Sequence, residues 1–100
     1  MCGIVGIVHR DERPVDPHVI STMCNAIRHR GPDDEGTWFD ERAALAMRRL
    51  SIIDLSGGRQ PITNEDGSSV IVFNGEIYNY RSLRSSLVSR GHTLRTSGDT

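Results

Sequence analysis

The run "GIVGIV" at residues 3–8 constrains this chain more than any other segment. It is short, β-branched and punctuated by glycine, which predicts a buried strand rather than a helix. It also starts one residue behind "MC", so the N-terminus, ordinarily mobile, is expected to be tied into a sheet. That places Cys2 at the tip of a buried strand, an odd position for an inert thiol. At the far end of the strand "HRDERPVD" reads as a polar turn, and Asp16 or Pro17 opens a helix that "HVISTMCNAIRHR" continues. Val19, Ile20, Met23, Cys24 and Ile27 fall on one helical face. Gly31 and Pro32 stop it.

"TWF" and "AALAMRRLSIIDL", divided by "DER", are expected to form two strands of a hairpin. "SGGRQPITNEDGSS" reads as loop with a turn at "EDG". "VIVF" predicts a strong central strand that "NGEIYN" breaks. "YRSLRSSLVSRG" predicts a helix with Tyr80, Leu83, Leu87 and Val88 on one face and Gly91 as its stop. "HTLRTSGDT" reads as one more strand, left without a partner, so the chain looks cut. Strand, helix, several strands, helix and strand make an α+β layered fold. One hundred residues fit one modest domain.

The net charge of −1, with no basic block, argues against a nucleic-acid footprint, although all twelve cationic residues are arginine. No run is long enough for a signal-peptide core or a membrane span. The expected location is therefore the cytoplasm, with Cys2 and Cys24 as reduced thiols. Cys24, on the apolar helix face, is expected in the core. His9, His18, His29 and His92 are scattered without ligand spacing, so no metal site is expected. Trp38 and Tyr78 read as packing residues.

Removal of Met1 would leave Cys2 with a free α-amine beside its thiol. The reference pKa of an α-amine is ~7.7–8.0 and of a thiol ~8.5, so the amine can take the thiol proton near neutrality. One residue then supplies nucleophile and base. Gly3 leaves room for a substrate carbonyl. An attacking nucleophile needs donors for the oxyanion. Asn74, at the end of "VIVF", and the Gly75 N–H are candidates to point at one spot, although "NG" is also a common turn signal. Of the adjacent Arg48 and Arg49, strand alternation sends only one toward a pocket. Arg48 reads as a surface charge. Arg28, His29 and Arg30 fit a solvated helix end.

"MCGIVGI", "RHRGPDDEG", "RRLSIIDL", "QPI", "FNGEIYNY" and "SGDT", in this order from first residue to last, resemble the glutaminase domain of class II glutamine amidotransferases. "RHRGPD" with "NGEIYN" is most similar to the branch of glutamine-hydrolysing asparagine synthetases. The resemblance implies an N-terminal-nucleophile (Ntn) hydrolase-like α-β-β-α sandwich, incomplete at the C-terminus, with residues 1–100 as the N-terminal portion of the domain. It implies L-glutamine as substrate, hydrolysed to glutamate and ammonia through a thioester on Cys2. Asn74 and Gly75 match the oxyanion pair, and Arg49 the arginine that holds the substrate α-carboxylate. Backbone groups near Ile52 and Ile53 match further substrate contacts, and Glu76 and Asp99 the acids that receive the α-ammonium. For Arg28, His29 and Arg30 the resemblance implies, instead of a solvated helix end, a place near the wall of the site. ATP and magnesium belong to the synthetase domain that follows in the family, and this segment is expected to need no cofactor. "SGGRQP" at 56–61 begins like that domain's pyrophosphate loop but lacks its Asp-Ser. The implied partners are the synthetase domain as ammonia acceptor and a second copy, since relatives are often dimers. The other readings are a catalytically silent fragment or interaction module, an amidotransferase half serving another acceptor, and a thiol-based metal or redox protein.

Overall fold

The computed structural model describes residues 2–50 and 59–100. The expected strand at the start is present as β1 (Gly3–Val8). Helix α1 (Pro17–Ala26) follows, opened by both predicted residues: Asp16 caps it by accepting the His18 N–H at 2.8 Å, and Pro17 occupies its first turn. The α-helix is shorter than the sequence suggests. After Ala26 the chain tightens into a 3-10 turn over Arg28–Arg30, begun by the Ile27 N–H reaching back three residues to the Cys24 carbonyl. The tightening brings Gly31 against the Arg48–Arg49 backbone, where no side chain would fit.

Strands β2 (Asp34–Phe39) and β3 (Ala43–Arg49) form the predicted hairpin around "DER"; residues 51–55 of the second predicted strand lie outside the described residues. Asp40 closes it by accepting the N–H groups of Arg42 and Ala43, each at 2.8 Å, and these bonds hold its carboxyl below the usual carboxylate range. β3 is the middle strand of an antiparallel sheet ordered β1-β3-β2. Its pairing sets Gly3 opposite Arg48, and Asp34 opposite Arg49. Alternation then sorts the faces. Val5, Ile7, Ala44 and Ala46 pack under α1 with Val15, Ile20 and Cys24. The alanines let the helix approach closely.

The rest of the chain departs further from expectation. "VIVF" is not a central strand. Only Val70–Ile71 (β5) is regular, paired with Ile62–Thr63 (β4) in a two-stranded sheet of its own. The turn between them is where it was expected, with Gly67 at a φ of +76°. Helix α2 (Tyr80–Ser89) ends ahead of Gly91, at a φ of +93°. None of its residues is buried. "HTLRTSGDT" forms no strand; its backbone is held by side chains instead, as where Arg84 donates to the Thr96 carbonyl. No helix among the described residues is long and apolar enough to cross a membrane.

Candidate active site

The β1–β3 pairing carries Cys2 to the sheet edge beside Arg49, and the chain beyond β5 returns to the same place. Cys2, Met47, Arg49, Asn74, Gly75, Glu76 and Asp99 line one cavity of about 340 Å³, together with Gln60, Phe73 and the 96–100 segment. Ligand sites commonly fall in this size range. Six of the residues singled out in the sequence thus share one wall. Ile52 and Ile53 lie outside the described residues.

Cys2 is half-buried, and its backbone carbonyl is clamped from two sides. Asn74 Nδ2 donates to it at 2.9 Å and Arg30 Nε at 3.1 Å. The first bond spans 72 residues and seats the Asn74 amide beside the cysteine. Asn74 Nδ2 carries two hydrogens, so this bond uses one of them. Asp99 Oδ2 accepts the Ile77 N–H at 2.8 Å, which ties the end of the chain to the loop carrying Asn74, Gly75 and Glu76.

Arg30 was read in the sequence only together with Arg28 and His29, as a helix end or part of a site wall. The segment Arg28–Arg30 divides: Arg28 and His29 are exposed, while Arg30 turns inward to Cys2. The available signal was Gly3. A Cβ there would meet Ile27 Cδ1 at 2.9 Å and Arg30 Cδ at 3.3 Å. The space left by Gly3 is therefore filled by Ile27 and Arg30, not held open for a substrate carbonyl.

Arg48 is not a surface charge. It is 5 % exposed, and its guanidinium donates to the Gly31 carbonyl at 2.9 Å and to Glu35 at 2.6 Å. Alternation points Arg49 the other way, into the cavity. Glu35 also accepts from the Cys24 thiol at 3.8 Å. Cys24 lies in the core as expected, at 1 % exposure, and burial followed by the Glu35 charge pushes its thiol above the ordinary value. Tyr78 is 94 % exposed and is not the packing residue expected, whereas Trp38 is half-buried.

A larger cavity of about 440 Å³ lies between α2 and the β4–β5 hairpin. Tyr80, Leu83 and Leu87 give it an apolar wall, and it lacks the cysteine. Among the described residues the thiol sets the smaller one apart: there it meets a guanidinium, two carboxylates and an asparagine amide. That set can hold a small zwitterion and attack a carbonyl.

Comparison with known proteins gives a consistent picture. The family profile of the glutamine amidotransferase domain matches residues 1–100. Asparagine synthetase [glutamine-hydrolyzing] 2 of Bacillus subtilis is 45% identical over 102 residues, covering 99% of this chain and 13% of that protein. Asparagine synthetase [glutamine-hydrolyzing] 1 of the same organism is 44% identical over 103 residues, covering 100% of this chain and 16% of its own length. Asparagine synthetase [glutamine-hydrolyzing] 3 of Arabidopsis thaliana is 40% identical, over 99% of this chain and 17% of that protein. The chain thus spans less than a fifth of the length of these curated relatives.

Proposed function

Because the chain belongs to the glutamine amidotransferase domain family, and its relatives are glutamine-hydrolysing asparagine synthetases, we propose that its smaller cavity hydrolyses L-glutamine to glutamate and ammonia. The observation that carries this reading is the convergence of Cys2, Arg49, Asn74, Gly75, Glu76 and Asp99 on one cavity.

In this reading Met1 is removed and the α-amine of Cys2 takes the thiol proton. The Arg49 guanidinium pairs with the substrate α-carboxylate, a planar fork on a planar acid. Glu76 and Asp99 receive the α-ammonium. The sulfur adds to the side-chain amide carbon, and the amide oxygen gains negative charge. Asn74 Nδ2 and the Gly75 N–H are its donors. The α-ammonium of Cys2 returns the proton to the departing nitrogen, the C–N bond breaks, and ammonia leaves a γ-glutamyl thioester. Water then adds to the thioester carbon, with the same amine as base, and releases glutamate and the thiol. Arg30 and Asn74 hold the Cys2 carbonyl and so fix where the sulfur and the amine sit. Inside the Ntn-type sandwich implied by the family, this machinery would lie at the sheet edge. The ammonia goes to a synthetase region, where ATP and magnesium would act, in asparagine formation from aspartate in the cytoplasm.

Incubation with a glutamine analogue carrying an electrophilic ketone tests the nucleophile. The expected result is one adduct, mapped to Cys2 by mass spectrometry, and glutaminase turnover lost in Cys2→Ala. Turnover that survives in Cys2→Ala, or in protein retaining Met1, overturns the mechanism.

A further inference from the structure

We propose that Gln60, the first residue of the "QPI" motif, is a positioning residue for the oxyanion site, acting through Phe73; this rests on the glutaminase reading. Gln60 is half-buried and lines the cavity that holds Cys2. Both ends of its side-chain amide bond the backbone of one residue, Phe73. Gln60 Nε2 donates to the Phe73 carbonyl at 3.0 Å, and Gln60 Oε1 accepts the Phe73 N–H at 2.5 Å. The backbone polarity of Phe73 fixes the amide's orientation, since an N–H must meet the oxygen and a carbonyl the nitrogen.

These two bonds replace a strand partner. The "VIVF" pattern predicts a ladder through Phe73, yet pairing ends at Ile71. Gln60 takes both backbone groups of Phe73 that a continued ladder would use. The chain can then leave the sheet with its polar groups satisfied. The next residue is Asn74, whose amide reaches Cys2, and after it Gly75.

Gln60 is itself fixed from the other side. Its backbone carbonyl rests on Gly36, where a Cβ would collide with it. Gly36 is paired with Met47, another wall of the cavity. Gln60 Nε2 lies a further 3.4 Å from Thr100 Oγ1, next to Asp99. The residue therefore joins the sheet through its backbone, and the Phe73–Asn74 stretch and the Asp99 segment through its side chain. Only glutamine meets the demand at this reach. Glutamate loses the donor to Phe73, asparagine is one methylene shorter, and alanine removes both bonds.

The test uses the natural full-length polypeptide, its Gln60→Glu and Gln60→Ala variants, and two readouts. Glutaminase kinetics are expected to show kcat lowered by about thirtyfold or more, with KM for glutamine within about threefold, because misplaced donors cost the transition state rather than ground-state binding. In hydrogen exchange the Phe73 amide is expected to be protected in the wild type and to exchange at least about tenfold faster in Gln60→Ala. Folded Gln60→Glu with kcat within about threefold of wild type overturns the proposal, as does a rise in KM at unchanged kcat. Absence of wild-type glutaminase activity defeats the function reading alone, and the exchange data then decide the clamp. An unprotected Phe73 amide in the wild type overturns it without any variant.

Discussion

Residues 2–50 and residues 59–100 are held by different forces. Every buried apolar side chain among the described residues, from Val15 to Met47, lies in the first region. There α1 covers one face of a three-stranded sheet, and burial supplies the stability. The second region buries none of its side chains to that degree. Leu83, Leu87 and Val88 of α2 are 45 %, 39 % and 54 % exposed. Its order comes from side chains bonded to backbone: Gln60 on Phe73, Asn64 on Ser69, Asp66 on Ser68, Asp99 on Ile77 and Arg84 on Thr96. The candidate site sits on the seam. Cys2 and Arg49 come from the packed region, and Asn74, Gly75, Glu76 and Asp99 from the hydrogen-bonded one. In the proposed mechanism the nucleophile and the carboxylate-binding arginine thus come from the packed region, and the oxyanion donors from the hydrogen-bonded one.

The largest effect should come from emptying the packed core. Ile20 is 2 % exposed, and Ile20→Ala is expected to cost about 2–5 kcal/mol. Thermal unfolding followed by circular dichroism measures it, and a shift under about 0.5 kcal/mol would break the comparison, being the size usual for surface sites. Next is the seam. Gly36→Ala places a Cβ into the Gln60 carbonyl and should cost about 1–3 kcal/mol, with glutaminase kcat falling more than stability accounts for. The same variant at wild-type activity would show that the two regions need not meet there. A smaller change is expected in α2: Leu83→Ala should alter stability by less than about 1 kcal/mol, because nearly half of that side chain is already in water.

The smallest effect concerns Cys24. Its thiol is held protonated above the ordinary range in the fold, so the unfolded chain releases that proton first as pH rises. The native state then binds more protons than the unfolded state, and stability falls with pH from the unfolded thiol pKa up to the native one. Cys24→Ala should flatten this alkaline slope in unfolding titrations, and native alkylation at pH 8 should label Cys2 well before Cys24.

Legibility follows the same division. In the packed region the strand at 3–8, the Asp16–Pro17 helix start and the "DER" hairpin were readable, because each rests on local periodicity or a local cap. Arg48 was not. Its buried position depends on Gly31 and Glu35, 17 and 13 residues away in sequence. In the other region the "EDG" turn and α2 were readable, but the reach of "VIVF" was not. A β-branched run favours extended backbone but does not specify its hydrogen-bond partner. Here the partner past Ile71 is a glutamine side chain from outside the hairpin.

The sequence by itself determined the first strand, the start of α1, the β2–β3 hairpin, α2 and the family, since these are written in short-range pattern and motif. Only the tertiary structure decided that Arg48 is buried rather than a surface charge, that Ile27 and Arg30 fill the notch at Gly3, and that the Gln60 side chain bonds the Phe73 backbone beyond the paired strand. Those outcomes depend on which groups meet across long stretches of chain, and close packing with full hydrogen-bond satisfaction settles them only when the whole chain is in place.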